Sequence, residues 1–596
     1  MQSKDSIRRQ ILNYGKIIWG TKKIDQADII VRLLVEELTN ELYYMQNSID
    51  NIEKTLLEKL AIKLTPPEYI PIRPAHGIFQ SNTALPKYLL SRQIPFYLTE
   101  KPENLQEKEI ENVVFHPITD VRLFNIRMEY ICNIPNLYLI NSVGEKEIKS
   151  STRNRELKSN SIWLGLEIDS QIDNIKGLSF YIDFPELSEI HDYYEVIQYT
   201  ELILNGKHYH LDQGFLSDID FQSDTHEYNV LSFYNRNYLT ISDDILVQDL
   251  HKENFPSRIA SLFNPEDLTD MKPKYWVELK FHYYIQPLDM NQIIVALNTF
   301  PVSNKQLSIQ KVNKEYLKDS VYLLADKCEK LQEITSVTDS NNTIYTPCTT
   351  IGDEISGTYY FKPTDRLHIQ NMEIQDYIEE ITDLIDSEKT AFPRIDIEKI
   401  NEAIHTISSL KLGTENKIDS NEKNRQKVEI DRLLIYPVEN SEYVNIQYWT
   451  SFGEIMNNIP SGKKYVPQLE GMTGLSDATG LSTICGGKDF GDVEDLLIIN
   501  KYLLTSSDRL ITEDNISTFC EMELGKAIEK VEIELKGKIS PRPKEGMIRT
   551  IEIRLYPSDR YPELIYQKGI LRNLLTRMKQ RSPFDYDYTI TVINKF

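Results

Sequence analysis

The stretch "LLEKLAIKLTPPEYIPIRPAHGIFQ", residues 56–80, changes character halfway. Its first nine residues read as the last turns of an amphipathic helix, and Pro66, Pro67, Pro71 and Pro74 then punctuate the chain. Proline lacks the backbone donor a helix needs, fixes its own φ, and pushes the preceding residue toward extended backbone. The helix therefore ends at this strap and a β-like run begins beyond it. With helix on one side and mostly sheet on the other, the chain reads as a multi-domain α+β protein.

Upstream, residues 5–19 form a short helical candidate with Ile7, Ile11, Leu12 and Ile18. From Asp28 to Leu64 the apolar residues Ile30, Leu34, Leu38, Leu42, Met45, Ile49, Ile52, Leu56 and Leu60 step by three or four, which places them in one stripe. Asp50 and Glu53 have capping-box spacing, which allows a break near 47–51. Such a stripe packs on the chain's own core or joins a bundle with another subunit, because a heptad-like seam needs a partner helix. These nine residues are the candidate partner interface. Pro66, Pro67, Pro71 and Pro74 are a candidate hinge, semi-rigid and open to a few defined angles between residues 1–64 and the β region.

Downstream the period becomes two. "SIWLGLEID" (161–169), "GLSFYIDF" (177–184), "KYWVELKFHYYI" (274–285) and "NQIIVALNTF" (291–300) read as strands. Asn205-Gly206 in "ELILNGKHYHL" sits between two such runs as a hairpin signal. Residues 366–415 turn acidic and helical, with Pro393 between two amphipathic runs, and "GTENKIDSNEKNRQK" (413–427) reads as an exposed loop. In the tail, Thr512 is a candidate N-cap and Gly525 a stop for one helix. "IEKVEIELKG" and "RTIEIRLYP" alternate like paired strands, a basic amphipathic helix spans 564–581, and "YDYTITVIN" closes the chain. The expected divisions are 1–65 (helical), 66–365 (mostly β), 366–430 (acidic helices and loop) and 431–596 (α+β).

Composition limits the function. A chain of 596 residues exceeds one core and suggests about three or four domains. The net charge of -23 repels phosphate backbones and anionic lipid, which argues against nucleic-acid binding. The start lacks the apolar core of a signal peptide, and no run approaches the roughly 20 apolar residues of a membrane span. Five scattered cysteines without a CxxC pair fit neither a disulfide scaffold nor a structural zinc site. Cytoplasm is the expected compartment.

The motifs that suggest chemistry fail on detail. His208 and His210 in "KHYH" have strand spacing for a shared face, but no third ligand is assignable, and a surface hairpin explains them. "GLSTICGGKDFGD" (480–492) has Ser482 where a phosphate loop needs glycine, and its aspartates would repel phosphate, so it reads as a turn. "SGKK" (461–464) lacks the required glycine, and neither a GxSxG elbow nor an HExxH pair occurs. The expectation is an architectural protein with no catalytic residue, cofactor or metal.

Residues 27–80, a helix with Val31-Arg32-Leu33-Leu34 that ends in "LLEKL" and crosses Pro66, Pro71 and Pro74 into a strand, resemble the N-terminal region of the TssF family. TssF is the baseplate wedge subunit of bacterial type VI secretion systems. "ALNTFPVSNKQL" (296–307) resembles the family's "N-x-F-P-x-x-N" turn, and "ITSVTDS" with the following "YTP" (334–347) resembles its next strand and turn. Residues 506–537 instead look like the tail of phage baseplate J-like wedge proteins, and "YWTSFGEIMNNIPSG" (448–462) is similar to TssF forms of Bacteroidetes-type systems.

The resemblance implies a structural function with no bond chemistry. It implies a TssF-like chain that forms an asymmetric dimer with a second copy of itself and joins a TssG-like subunit through a helical bundle. The implied assembly rings the VgrG hub, docks TssK, and supports TssE and the contractile sheath at the inner face of the inner membrane. The other readings are a wedge of a contractile phage tail or extracellular injection particle, and, from another class, an acidic β-rich polysaccharide hydrolase.

Overall fold

The computed structural model describes residues 72–362 and 427–593, interrupted at 103–104, 106–109, 111, 141–145, 153–158, 185–189, 216–224, 283–292, 317–320, 327, 349–354, 439–440, 469–473, 490–492, 562, 567–568 and 583–585. Of residues 1–71 it describes Ile11, Tyr14, Val35, Leu38, Thr39 and Leu42, all helical. The acidic helices expected at 366–415 lie outside the described residues. The chain divides into two compact units: Met1–Ile70 with Gly491–Ser507, and Pro71–Phe490 with Asp508–Phe596. The division falls inside the proline strap.

The smaller unit contains the helix Val493–Ser506, whose Ile499 and Tyr502 are buried. Leu38, Leu42 and Leu504 in the same unit are 50%, 39% and 77% exposed.

The larger unit is built around a closed barrel of six short strands, in the order His76–Gln80, Thr299–Ser303, Val114–Pro117, Phe96–Leu98, Lys464–Pro467 and Ala478–Gly480. Alternation along the first strand explains its burial on both faces. Phe79 points inward, where its ring stacks on Tyr465 at 4.0 Å and meets Phe96, Phe115 and Phe300. Ile78 points outward into a second cluster with Tyr181, Val230 and Tyr234.

A seven-stranded antiparallel sheet follows, with Ser161–Ile168 near its centre. Ile162, Leu164 and Leu166 enter one core and Trp163 another, so this strand is buried on both faces. Gly165 packs closely there: a Cβ would lie 3.0 Å from Tyr130 and 3.2 Å from Trp276, so both side chains would have to shift. Asn205 and Gly206 form the two-residue turn between Glu201–Leu204 and Lys207–Tyr209, both with positive φ as a type I′ hairpin needs.

The run at 291–300 is not one strand. Its described part splits into Ile294–Ala296, in a four-stranded sheet, and Thr299–Ser303, in the barrel. Asn298 makes the bend at φ 54, a conformation asparagine tolerates better than most residues. Its buried side chain accepts from Phe124 N at 3.0 Å and donates to Phe124 O at 2.8 Å. "N-x-F-P-x-x-N" is thus mostly a barrel strand rather than a turn.

Strands on either side of residue 430 share sheets. Lys427–Tyr436 pairs with Val321–Asp326 and Thr358–Lys362, and Tyr443–Ser451 lies between Gln306–Asn313 and Lys330–Asp339. Lys464–Pro467 and Ala478–Gly480 complete the barrel begun at His76.

The tail forms the expected α+β module. Thr512 caps the helix Glu513–Leu524 by accepting from Asn515 N, and Gly525 ends it at φ 48. Ile528–Ile539 and Met547–Pro557 pair antiparallel, and Asp587–Val592 joins the second strand in parallel. The basic helix is shorter than expected: a single turn at Leu564–Tyr566 precedes Gly569 at φ 84, and the helix proper is Ile570–Arg581.

Candidate functional site

The residues expected to meet a partner are partly placed. Leu38 and Leu42 are helical and exposed, one turn apart, while Ile30, Leu34, Met45, Ile49, Ile52, Leu56 and Leu60 lie outside the described residues, as do Pro66, Pro67 and Pro71. Pro74 is buried between two backbone bridges, Arg73 with Lys488 and His76 with Cys485. The strap therefore ends anchored in the barrel unit.

The glycine-rich run lies beside residues 73–76, with Gly486 at φ 82 between its two bridges. Those two bridges lay residues 485–488 along residues 73–76, and the glycines serve close approach. A Cβ on Gly486 would lie 2.2 Å from His76 Nε2, and one on Gly487 would lie 2.3 Å from Gly453 O. His208 and His210 are exposed and face Glu201 at 3.7 Å and Asp212 at 3.1 Å respectively. No cluster of three metal-ligating side chains occurs among the described residues.

The concentration of buried charge lies elsewhere, in a seam that fixes the helix Ile570–Arg581. Arg572 Nη2 donates to Phe233 O at 3.0 Å and to Asn237 Oδ1, and its guanidinium lies 4.3 Å from the Phe233 ring and 4.6 Å from the Tyr194 ring. Asn237 in turn donates to Ile182 O at 2.8 Å. Asp183 accepts from Tyr194 and from Tyr181 at 3.1 Å, which ties the strand Ser179–Asp183 to the same network. His76 Nδ1 meets Tyr234 OH at 3.0 Å, and burial, helped by His226 and Arg572, lowers its pKa to about 3, so the ring is neutral.

A second node centres on Glu523, at the end of the helix Glu513–Leu524. Arg73 forks onto its carboxylate at 2.6 and 2.9 Å, and Arg577 Nε lies 3.1 Å away. Burial alone would raise the Glu523 pKa, but Arg577 and Arg73 outweigh it and hold the carboxyl well below the usual range. Lys488 Nζ donates to Glu523 O at 2.9 Å, a cation on the exposed carbonyls of a helix C-terminus. Lys579 pairs with Glu195 at 2.9 Å and Arg581 with Asp508 at 2.8 Å.

A third node joins the helix His226–Asn235 to the barrel. His226 Nε2 meets Ser303 Oγ at 2.7 Å, Glu227 pairs with Lys305, and Lys305 Nζ sits 4.5 Å over the Trp449 ring. Burial lowers the His226 pKa to about 4. In Glu227 burial pushes upward, but Lys305 and His226 prevail and hold it at about 2.

These side chains engage one another, as in a joint between elements. The thiol in the seam, Cys485, is buried and pushed up to about 11 by that burial, so it is a poor nucleophile. Sequence reading missed Glu523, Arg572, Arg577 and His76. The available signal was the cluster of basic residues in the final helix of an otherwise acidic chain.

No family model matches the chain, and no curated protein matches it in sequence. Among solved structures, one chain of the type VI secretion system TssK-TssF-TssG baseplate subcomplex, determined by cryo-electron microscopy, is similar over 95% of this chain and 96% of that one, at 10% identity and a TM-score of 0.42. The fold class rests on the strands and helices themselves: a multi-domain α+β protein with several separate sheets. No helix among the described residues is long and apolar enough to cross a membrane.

Proposed function

We propose that the chain is a structural baseplate wedge subunit of a type VI secretion system, a TssF-like protein without catalytic activity. The observation that carries this reading is the order along the chain of the three resembling stretches, 27–80, 296–307 and 334–347. The middle stretch has a physical rationale for its residues. Asn298 clamps Phe124 at the exit from one sheet, and Asn304 donates to Val114 O at 2.8 Å and accepts from Phe452 N at 3.2 Å. Both asparagines are buried; Asn298 ties the entry of the barrel strand Thr299–Ser303 to Phe124 outside the barrel, and Asn304 ties its exit to the barrel strand Val114–Pro117 and to Phe452.

In this reading the exposed leucines of the helical unit meet a TssG-like subunit, with a second copy of the chain in the same wedge. TssK, TssE, the VgrG hub and the sheath are the further partners, the assembly is cytoplasmic at the inner membrane, and the strap Pro66, Pro67, Pro71 and Pro74 is a hinge whose angle between residues 1–64 and the β region differs between the copies. Replacing Leu34, Leu38 and Leu42 together with Asp should abolish co-purification with the TssG-like subunit of the same cell, since each buried leucine contributes about 1.5–3 kcal/mol and a charge in a seam costs more. Co-purification that survives, with circular dichroism unchanged, overturns the shared bundle. A tagged chain that retrieves no baseplate subunit from its native cell overturns the wedge role itself.

A further inference from the structure

The C-terminal sheet carries an open edge. Its order is Ile528–Ile539, Met547–Pro557, Asp587–Val592, so Ile528–Ile539 is an edge strand among the described residues. Its register is continuous from Lys530 to Ile539, with Leu535 opposite Ile551 and Ile539 opposite Met547. At the tip, Ser540 N donates to Gly546 O at 2.8 Å. Hydrogen-bonded positions alternate in an antiparallel pair, so the backbones of Glu532, Glu534, Lys536 and Lys538 turn inward. Those of Val531, Ile533, Leu535, Gly537 and Ile539 present their donors and acceptors outward.

The two faces of this strand differ. Its apolar face continues the module core at the base, where Ile553 and Leu555 are fully buried, and runs bare toward the tip, where Leu535, Ile539 and Met547 are 73%, 79% and 77% exposed. The other face is a charge ladder. Glu534 pairs with Arg554 at 2.8 Å, Lys536 with Glu552 at 2.6 Å and Lys538 with Asp587 at 3.0 Å. A long edge with a bare apolar face is a template for another strand.

We propose that this edge pairs with the same edge of a second copy of the chain, antiparallel about a two-fold axis through Leu535. The charge pattern selects both the occupant and the register. With the axis at Leu535, Glu534 faces Lys536 and Glu532 faces Lys538, each twice by symmetry. The same register sets Leu535 against itself, Val531 against Ile539 and Ile533 against Gly537, so apolar meets apolar on the other face. Moving the axis to Ile533, Glu534, Lys536 or Gly537 puts at least one like-charged pair across it. The outward backbone groups fall on the rungs that must hydrogen-bond, and the Glu–Lys rungs fall on the closer, non-hydrogen-bonded positions. The contact is a closed, isologous one, in which both copies use the same edge residues.

This inference does not rest on the baseplate reading, and either can fail alone. It is tested on the full-length protein by mild oxidation of two single-cysteine additions. Cα atoms of a hydrogen-bonded pair lie about 5.5 Å apart, within disulfide range, so Leu535→Cys should give a covalent dimer. Ile539→Cys is the control: that site is as exposed, but its symmetry mate lies eight residues along the ladder, roughly 27 Å away. The unsubstituted chain, whose cysteines are all unpaired, gives the background. The expected result is a dimer yield from Leu535→Cys at least about tenfold above that from Ile539→Cys. Adding Glu534→Lys should lower that yield about tenfold, and adding Lys536→Glu as well should restore it, because the swapped pair is again self-complementary. Equal cross-linking at 535 and 539, or a Leu535→Cys protein that stays monomeric, overturns the pairing. So does a charge reversal that folds and leaves the yield unchanged.

Discussion

Substitution of Glu523 by Gln isolates the strongest node of the seam. The carboxylate is 7% exposed and receives two aligned bonds from Arg73, with Arg577 alongside. Glutamine keeps the shape and one acceptor oxygen. It surrenders the second acceptor and the negative charge, and so leaves two guanidinium groups facing each other in a buried site. Removing one member of a buried ion pair costs about 3–5 kcal/mol, most of it the penalty on the charge left behind. The same change at Glu534, which is half exposed and paired with Arg554, should cost only about 0–1 kcal/mol. In a chain with several cores a single melting temperature mixes transitions, so the readout is amide exchange in the helices Glu513–Leu524 and Ile570–Arg581. A local loss of that size speeds exchange about a hundredfold or more, since each 1.4 kcal/mol is tenfold. Exchange in both helices within about threefold of wild type would show that the seam does not hold them, and the reasoning from buried charge would fail.

Asn298→Ala should destabilise the protein by about 2–4 kcal/mol, because it leaves Phe124 N and O without their buried partner and places alanine at positive φ. Urea titration checks this, and Asn298→Gly, which relieves φ but not the lost bonds, should recover only part. Stability should also fall in acid in two stages. His76, His226 and His116 have folded pKa values lowered to about 3, 4 and 4, in each case chiefly by burial. The unfolded chain binds their protons first, so their contribution is complete above about pH 6.5 and is lost as pH falls toward the folded values. Glu523 and Glu227 are depressed carboxylates, whose contribution is present above the ordinary carboxylate pKa and lost as pH falls through the folded one. Melting curves from pH 8 to pH 4 should decline before the carboxylate range is reached, and a flat profile down to pH 5 would contradict neutral burial of the histidines.

Much of the fold was legible wherever a local signal decides the structure. The Asn205-Gly206 turn, the Thr512 cap, the Gly525 stop and the two long tail strands all follow from residue type at fixed offsets. The reading failed where a tertiary contact overrides the period. The apolar run 293–297 and Phe300 read as one continuous strand, yet Asn298 turns the chain because Phe124 and Ile126, remote in sequence, supply its partners. Likewise the glycines at 486 and 487, the first of them at φ 82, answer to contacts remote in sequence. They mark a place where His76 and Gly453 come too close for any side chain.

The seam was not legible for a related reason. Arg73 and Glu523 are 450 positions apart, and an ion pair between remote segments imposes no period on either. A hydrophobic contact repeats along its element, whereas one arginine meeting one glutamate leaves a single residue on each side. The location of these pairs nonetheless has a mechanical sense. Arg73 and His76 flank Pro74, the last proline of the strap, and they are bound by backbone bridges to Lys488 and Cys485, by Arg73 to Glu523, and by His76 to Tyr234. These bonds fix residues 73–76 against the C-terminal helices and the glycine run at 485–488. An apolar contact of the same size would slide under load, because burial is non-directional. A forked arginine–carboxylate pair has one geometry and resists displacement from it. Charge buried at this position therefore gives residues 73–76 one orientation against the helices Glu513–Leu524 and Ile570–Arg581.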